Sequence, residues 1–354
     1  MNHEIFMQRC IDLAKLGNGN TIPNPLVGAV IVYNGKIIGE GYHKKYGEAH
    51  AEVNAINSVK NTSLLKNSTL YVNLEPCIHY GKTPPCSIKI FEAGIPEIVI
   101  GTADPNPLIN GKGIKFLKEN KINVTIGLLE EKCIWLNKKF FTYHQKKRPY
   151  IILKWAQTID GYIDYLNRNP EKPFEWISND LLKIFVHKWR SEEQAILIGS
   201  KTALMDNPQL TTRKWYGKSP IRLLINRHAN LPETLKIFDS NSKTIIFNEK
   251  LEKTRENIEF KKIDFDTNLL TNILRYLYDI EIQSIIVEGG AKTLTSFIEN
   301  DLWDEIRIII GNKFFYSGIK APIITFEPDE EYTLLDNKLK IYYNKNQNIY
   351  KLLL

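Results

Sequence analysis

His50-Ala51-Glu52, taken with Glu75-Pro76-Cys77 and the stretch Ile78 to Pro85 that leads into Cys86, decides how the rest of this chain is read. One imidazole and two thiols supply three of the four ligands of a tetrahedral zinc and leave one position for water. A carboxylate two residues beyond the histidine can move protons to and from that water. Residues i and i+2 of a regular helix do not face each other, so His50 and Glu52 share a site only in a first, irregular helical turn. Singly, each residue reads as ordinary: a solvated histidine, a surface charge, two buried thiols. Together, each at a strand-to-helix junction, they point to a metal centre. A purely structural zinc would take a fourth protein ligand, for which His43 and His79 are the candidates.

Outward from this stretch the pattern alternates. Residues 2–17 carry apolar positions near helical spacing, ending at Gly17. Residues 27–32 form an apolar β-branched run, and Asn34-Gly35 supplies a tight turn into 36–41. A helix is expected over 50–59; strands at 70–74, 97–101 and 123–127 are then separated by helices at 85–93 and 111–120, with a last helix over 130–143. Such alternation implies a layered α/β/α unit with a partly parallel sheet. Lys146-Lys147-Arg148-Pro149 is a charged, Pro-terminated boundary. Beyond it the alternation resumes, with strands at 150–156, 195–199, 221–225, 244–247, 284–288 and 305–310. Helices are expected at 179–189, 267–278 and 294–300, and a closing hairpin from 338–343 and 348–354. The expected domains are 1–146 and 149–354.

At 354 residues, 43% hydrophobic and 25% charged, this is the composition of an ordinary globular chain with room for two cores. No apolar run approaches 18 residues, so no membrane span is expected. Met1-Asn2-His3-Glu4 lacks the pattern of a secretory signal. Four cysteines are too few for a disulfide scaffold; Cys10 and Cys133 read as inert buried thiols, and a reducing cytoplasm is expected. The net charge of +7 suits a protein that meets anions.

In the second half, Val287-Glu288-Gly289-Gly290-Ala291-Lys292-Thr293-Leu294 reads as a strand whose two glycines open a helix, where a phosphate can approach the backbone. Alone this is a weak signal, since a plain tight turn reads the same way.

Several segments carry a family resemblance. Pro23-Asn24-Pro25-Leu26-Val27-Gly28, Gly41-Tyr42-His43, His50-Ala51-Glu52 and Leu74-Glu75-Pro76-Cys77 resemble a cytidine-deaminase-type domain. The long loop EPCIHYGKTPPC (75–86), with Asp104-Pro105-Asn106-Pro107 and Gly111-Lys112-Gly113, is similar to the deaminases of riboflavin biosynthesis. From Leu153-Lys154 through Asp160-Gly161, Trp176-Ile177-Ser178, Arg190, Gly199-Ser200-Lys201-Thr202, Asp206 to Thr211 and Arg213, the order resembles the pyrimidine-nucleotide reductase domain that follows the deaminase in bifunctional riboflavin enzymes. The resemblance covers nearly the whole chain. It implies an N-terminal cytidine-deaminase-like α/β/α sandwich followed by a dihydrofolate-reductase-like α/β domain.

The same resemblance implies one zinc per chain on His50, Cys77 and Cys86, with Glu52 as the proton carrier. It implies a pyrimidine ribonucleotide held by Asn24, His43 and Lys82, with His79, Thr83, Asp104 and Asn106 also near it. In the second half it implies NADPH near Gln157, Trp176, Thr202, Asp206 and the turn Gly290, Ala291, Lys292, Thr293 and Leu294. Substrate is implied near Arg190, Leu210, Arg213 and Glu288, with Lys154, Asp206 and Glu288 as the catalytic polar trio. Arg190 and Arg213 suit bidentate clamps on a phosphate. Ile78, Gln157, Phe174 and Arg227 depart from the usual pattern; Arg227 suits either the 2′-phosphate of NADPH or the plain surface. The implied activity is zinc-dependent deamination of 2,5-diamino-6-(5-phosphoribosylamino)pyrimidin-4(3H)-one, then NADPH-dependent reduction of the phosphoribosylaminouracil to its ribityl form. A cytoplasmic homo-oligomer acting on a small molecule, with no nucleic acid or membrane partner, is expected.

Two other readings differ in class. A nucleic-acid or free-nucleoside deaminase needs a basic, aromatic-lined surface; the one dense basic cluster, Lys146 to Arg148, lacks interleaved aromatics. A nucleotide-sensing module with structural zinc has no need of a non-ligand carboxylate at Glu52.

Overall fold

The computed structural model of the chain describes residues 3–79, 84–166, 168 and 176–346. Lys82, Thr83, Phe174 and the strand expected at 348–354 lie outside them. The described residues fall into two compact units, one ending at Lys146 and one beginning at Lys147.

The first unit runs α1 (His3–Lys15), β1 (Gly28–Tyr33), β2 (Lys36–Tyr42), α2 (Ala51–Ser58), β3 (Thr69–Leu74), α3 (Cys86–Glu92), β4 (Glu97–Thr102), α4 (Lys112–Glu119), β5 (Asn123–Ile126), α5 (Glu130–Leu136) and α6 (Lys138–Lys146). Its sheet order is β2-β1-β3-β4-β5, with β1 antiparallel to both neighbours and β3, β4 and β5 parallel. Asn34 and Gly35 both take positive φ, 48° and 73°, as a type I′ hairpin turn requires. Alternate residues of β1 feed opposite layers. Ala29 and Ile31 pack with Ala51 and Ala55 of α2, Ile90 of α3 and Leu117 of α4. Val30 and Val32 pack with Met7 and Ile11 of α1 and Cys133 of α5. This is the α/β/α sandwich expected.

One element differs. The single helix expected over 130–143 is two, α5 and α6, broken at Asn137. The Asn137 side chain accepts from the Leu26 N–H at 2.8 Å and donates to the Leu26 carbonyl at 2.9 Å. A long-range partner for the amide outweighs continuation of the helix, and nothing local announces it.

The second unit runs β6 (Tyr150–Thr158), β7 (Tyr162–Asp164), α7 (Asp180–Glu192), β8 (Ala195–Gly199), α8 (Ser200–Asp206), β9 (Ile221–Ile225), β10 (Thr244–Asn248), β11 (Lys253–Arg255), β12 (Ile258–Lys262), α9 (Leu269–Asp279), β13 (Ser284–Val287), α10 (Ala291–Glu299), β14 (Glu305–Gly311), β15 (Ile319–Lys320), β16 (Glu330–Leu334) and β17 (Asn337–Tyr343). Ten strands form one sheet, β11-β12-β10-β9-β8-β13-β6-β14-β17-β16, parallel from β12 to β14. Its central strands are mainly apolar, as in β8 (AILIG) and β13 (SIIV), because both faces are covered. Ile151 and Leu153 of β6 pack under α9 and α10, while Tyr150 and Ile152 pack under α7 and α8. β17 pairs with a strand not expected, β16 upstream, through Leu335 at φ 59°; the strand expected at 348–354 lies outside the described residues. β16 is a polar edge strand, EEYTL, with no alternation to reveal it. Among the described residues no helix is long and apolar enough to cross a membrane.

Candidate functional site

In the first unit, β2 brings α2 close. A Cβ on Gly41 would lie 2.4 Å from the Ala55 nitrogen and 2.6 Å from the Ala51 carbonyl oxygen, so only glycine permits this approach. His50 is the N-cap of α2, at φ −72° and ψ 168°, and Glu52 lies in its first turn. That extended cap lets i and i+2 converge. Cys77 follows β3, and Cys86 opens α3, its N–H donating to the Cys77 sulfur at 3.3 Å. His50 Nδ1 lies 3.6 Å from Cys77 Sγ and 3.3 Å from Cys86 Sγ, and the three ligand atoms all fall within 4.8 Å of one another. Tetrahedral zinc with ordinary bond lengths sets nitrogen and sulfur about 3.6 Å apart. The donor set therefore fits zinc in chemistry and in spacing.

Glu52 is 3% exposed, and its Oε2 has no hydrogen-bond partner among the described residues. Burial pushes its carboxyl up to about 7, against the pull of His50. The thiols divide: hydrogen bonding to Cys86 and to His50 draws Cys77 down, while Cys77 and burial hold Cys86 up. His43 lies edge-on to His50, ring centroids 5.1 Å apart. Asn24 donates to its Nε2 at 3.1 Å, and its Nδ1–H donates to the Ala49 carbonyl at 3.2 Å. Both nitrogens are engaged, and burial lowers its pKa, so His43 is a neutral neighbour and no fourth ligand. His79 is exposed. Asp104 and Asn106 serve as caps of their own loop, accepting from Asn106 N–H at 2.7 Å and Leu108 N–H at 3.1 Å.

Glu75 has a role that its place in the EPC motif does not reveal. Its two oxygens accept four backbone N–H groups, from Asp104, Gly111, Gly113 and Ile114, at 2.9–3.1 Å. It ties the loop before α4 to the strand end that carries Cys77. Each bond to a charged acceptor contributes about 1.5–3 kcal/mol singly. Glu75→Ala is expected to lower the unfolding free energy by about 3–5 kcal/mol, since such bonds do not add fully. Urea denaturation followed by circular dichroism checks this; a loss below about 1 kcal/mol would remove Glu75 from the scaffold.

In the second unit a cavity of about 1240 Å³ opens at the carboxyl ends of the parallel strands, where ligands of open α/β sheets sit. It is lined by Lys154, Trp176, Thr202, Asp206, Leu210, Arg213, Glu288 and the whole turn Gly290 to Leu294. Two strand-to-helix turns meet there. Gly199 caps α8 and Gly290, at φ 53°, caps α10. A Cβ on Gly289 would lie 2.7 Å from Ile198 Cα, so the two turns pack backbone to backbone.

The cavity floor is ionic. Arg190 forks onto Glu288, Nη2 to Oε2 at 2.7 Å and Nε to Oε1 at 3.2 Å, and Lys154 Nζ lies 3.9 Å from Glu288 Oε2. Burial would raise the Glu288 carboxyl, but the charges of Arg190 and Lys154 prevail and hold it at about 2. Burial, with Arg190 beside it, holds Lys154 below the usual lysine range against the pull of Glu288. Asp206 pairs with Arg168, and burial raises its pKa.

The structure adds detail at three of the expected positions. Arg190 lines the cavity and presents its fork to Glu288 at the floor. Gln157 does not line the cavity; its amide oxygen accepts from the Trp155 indole at 2.7 Å. Arg227 lines it but is paired with Glu249 and Asp266 at 2.7 and 2.8 Å. Arg168 was not foreseen, because no periodicity places a loop arginine.

Comparison with known proteins follows this division. The family described as cytidine and deoxycytidylate deaminase zinc-binding region matches residues 1–102, and the family described as RibD C-terminal domain matches 149–335. The riboflavin biosynthesis protein RibD of Aquifex aeolicus is 39% identical over 350 residues, 97% of this chain and 95% of that one. RibD of Bacillus amyloliquefaciens is 39% identical, covering 90% and 86%. The crystal structure of a diaminohydroxyphosphoribosylaminopyrimidine deaminase/5-amino-6-(5-phosphoribosylamino)uracil reductase from Thermotoga maritima superposes with a TM-score of 0.85 at 37% identity, over 96% and 97% of the two chains.

Proposed function

The chain belongs to the RibD family of bifunctional deaminase/reductases of riboflavin biosynthesis, which use zinc and NADPH, and on that premise we propose how its residues divide the two reactions. The first unit, 1–146, hydrolytically deaminates 2,5-diamino-6-(5-phosphoribosylamino)pyrimidin-4(3H)-one. The second, 149–354, reduces 5-amino-6-(5-phosphoribosylamino)uracil to the ribityl compound. The observation that carries the reading is the convergence of His50 Nδ1 and two thiols beside the buried Glu52 carboxyl, which interacts with all three.

His50, Cys77 and Cys86 would hold the zinc, and the chemistry it would supply is activation of a water as a nucleophile near neutral pH. Glu52 moves the protons: from the attacking water, to the ring nitrogen, and to the exocyclic amine that leaves as ammonia. Asn24 and His43, hydrogen-bonded to each other beside His50, orient the pyrimidine. In the second unit NADPH supplies hydride when bound. The N-termini of α8 and α10 offer backbone N–H groups to its phosphates. Lys154 and Glu288 orient the sugar carbon that is reduced, Asp206 lines the same cavity, and Arg213 holds the substrate phosphate. Buried free thiols support a cytoplasmic location. Exposed Phe314, Tyr316 and Ile323 supply apolar area suited to a second copy, a homo-oligomer that sedimentation mass would reveal.

Elemental analysis with two separate assays tests the reading. About one zinc per chain is expected, and chelation should abolish deamination while NADPH oxidation on pre-deaminated substrate continues. Asp206→Asn should do the reverse, lowering reduction about 10²-fold or more with deamination intact. Retention of deamination after complete zinc removal would overturn the assignment of the first unit.

A further inference from the structure

His187 is buried, 2% exposed, and has no place in either reaction as described. It lies on α7 one turn before Arg190, so the two side chains leave the same face of the helix. His187 Nδ1 accepts the backbone N–H of Arg213 at 3.0 Å. One turn on, Arg190 Nη1 reaches the Thr211 carbonyl at 3.5 Å. Arg213 Nη1 in turn donates to the Thr211 hydroxyl at 3.0 Å. The segment Leu210 to Arg213 is therefore tied to α7 at two points. It needs tying: Leu210 holds φ 55°, a left-handed conformation that disfavours leucine, with its side chain buried at 2%. Burial, with Arg190 and Arg213 nearby, holds the imidazole down at about 4, while Glu288 and the Thr211 backbone pull the other way. A neutral ring keeps Nδ1 as an acceptor.

We propose that His187 is a positioning residue: through its hydrogen bond to the Arg213 backbone it aims the Arg213 guanidinium and so sets the affinity of the reductase site for the substrate's phosphate. The inference rests on the reading of Arg213 as the phosphate-holding group. It assigns His187 no contact with substrate or NADPH, so its loss acts on ground-state and transition-state binding alike.

The test compares three variants in the full zinc-loaded chain: His187→Asn, whose amide oxygen can stand near Nδ1; His187→Gln, whose amide reaches the Nε2 position instead; and Arg213→Gln. The readouts are KM and kcat for 5-amino-6-(5-phosphoribosylamino)uracil, KM for NADPH, and the inhibition constant of ribose 5-phosphate. His187→Gln is expected to raise the substrate KM and the ribose 5-phosphate constant about tenfold, with kcat and the NADPH KM within about twofold of wild type. His187→Asn should restore both constants to within about threefold. A residue that merely filled space would not distinguish the two amides. Equal behaviour of Asn and Gln, or a lowered kcat at unchanged KM, overturns the proposal. If Arg213→Gln raises KM and His187→Gln does not, the positioning role alone fails. If Arg213→Gln leaves KM unchanged, the reading of Arg213 fails and the inference falls with it.

Discussion

Glu52→Gln is expected to slow deamination about 10²–10⁴-fold, the range assigned to a positioned proton carrier, while zinc stays at one ion per chain and reduction of pre-deaminated substrate is unchanged. The amide keeps the volume and shape of the side chain at a site only 3% exposed. It removes the capacity to accept and release a proton. A second readout separates catalysis from structure. Glu52 Oε2 is buried without a hydrogen-bond partner among the described residues, and desolvating such a group is unfavourable to folding. The variant should therefore be as stable as wild type or more so. Ammonia release, elemental analysis and thermal unfolding measured on one preparation decide the matter. A full deamination rate in Glu52→Gln would mean that another group moves the protons.

Glu288→Gln is expected to destabilise the second unit by about 3–5 kcal/mol, the cost of breaking a buried ion pair from one side. Arg190 and Lys154, both nearly inaccessible, would face each other with no neutralising charge. Reduction should fail with it, since Lys154 loses the group that orients it. The same pair predicts an acid transition. The folded carboxyl, at about 2, lies below the unfolded value of about 4.3. Its contribution is therefore complete above that value and is lost as the pH falls through it toward about 2. The difference is worth about 3 kcal/mol. Urea midpoints between pH 5 and 2.5 should fall for wild type, and Glu288→Gln should lack this part of the slope. A variant as stable as wild type at pH 7 would refute the account of the floor.

Much of this was legible residue by residue. His50, Cys77 and Cys86 could be grouped, with Glu52 beside them, because zinc takes few residue types and these stand together at the turns between expected strands and helices. The strands 195–199 and 284–288 were legible because full burial on both faces demands continuous apolar runs. Residues whose role depends on a distant partner were not. Glu75 looked like part of a motif, but its four donors come from a loop about thirty to forty positions away. Asn137 splits a helix through a contact with Leu26. Arg190 was read as a phosphate clamp, and nothing in its own segment announces its pairing with Glu288, ninety-eight residues later.

The amino-acid sequence by itself determined the two-unit α/β division and the donor set for zinc. Each follows from local periodicity or from what one side chain can coordinate. Only the tertiary structure decided which polar groups act and which brace. It turned Arg190 inward, put Gln157 off the cavity wall, and brought His187 under the Arg213 backbone. The physical reason is that a buried charge or ring nitrogen must be satisfied by whatever packing brings within about 3 Å, and that partner is set by the sheet order rather than by the neighbouring residues.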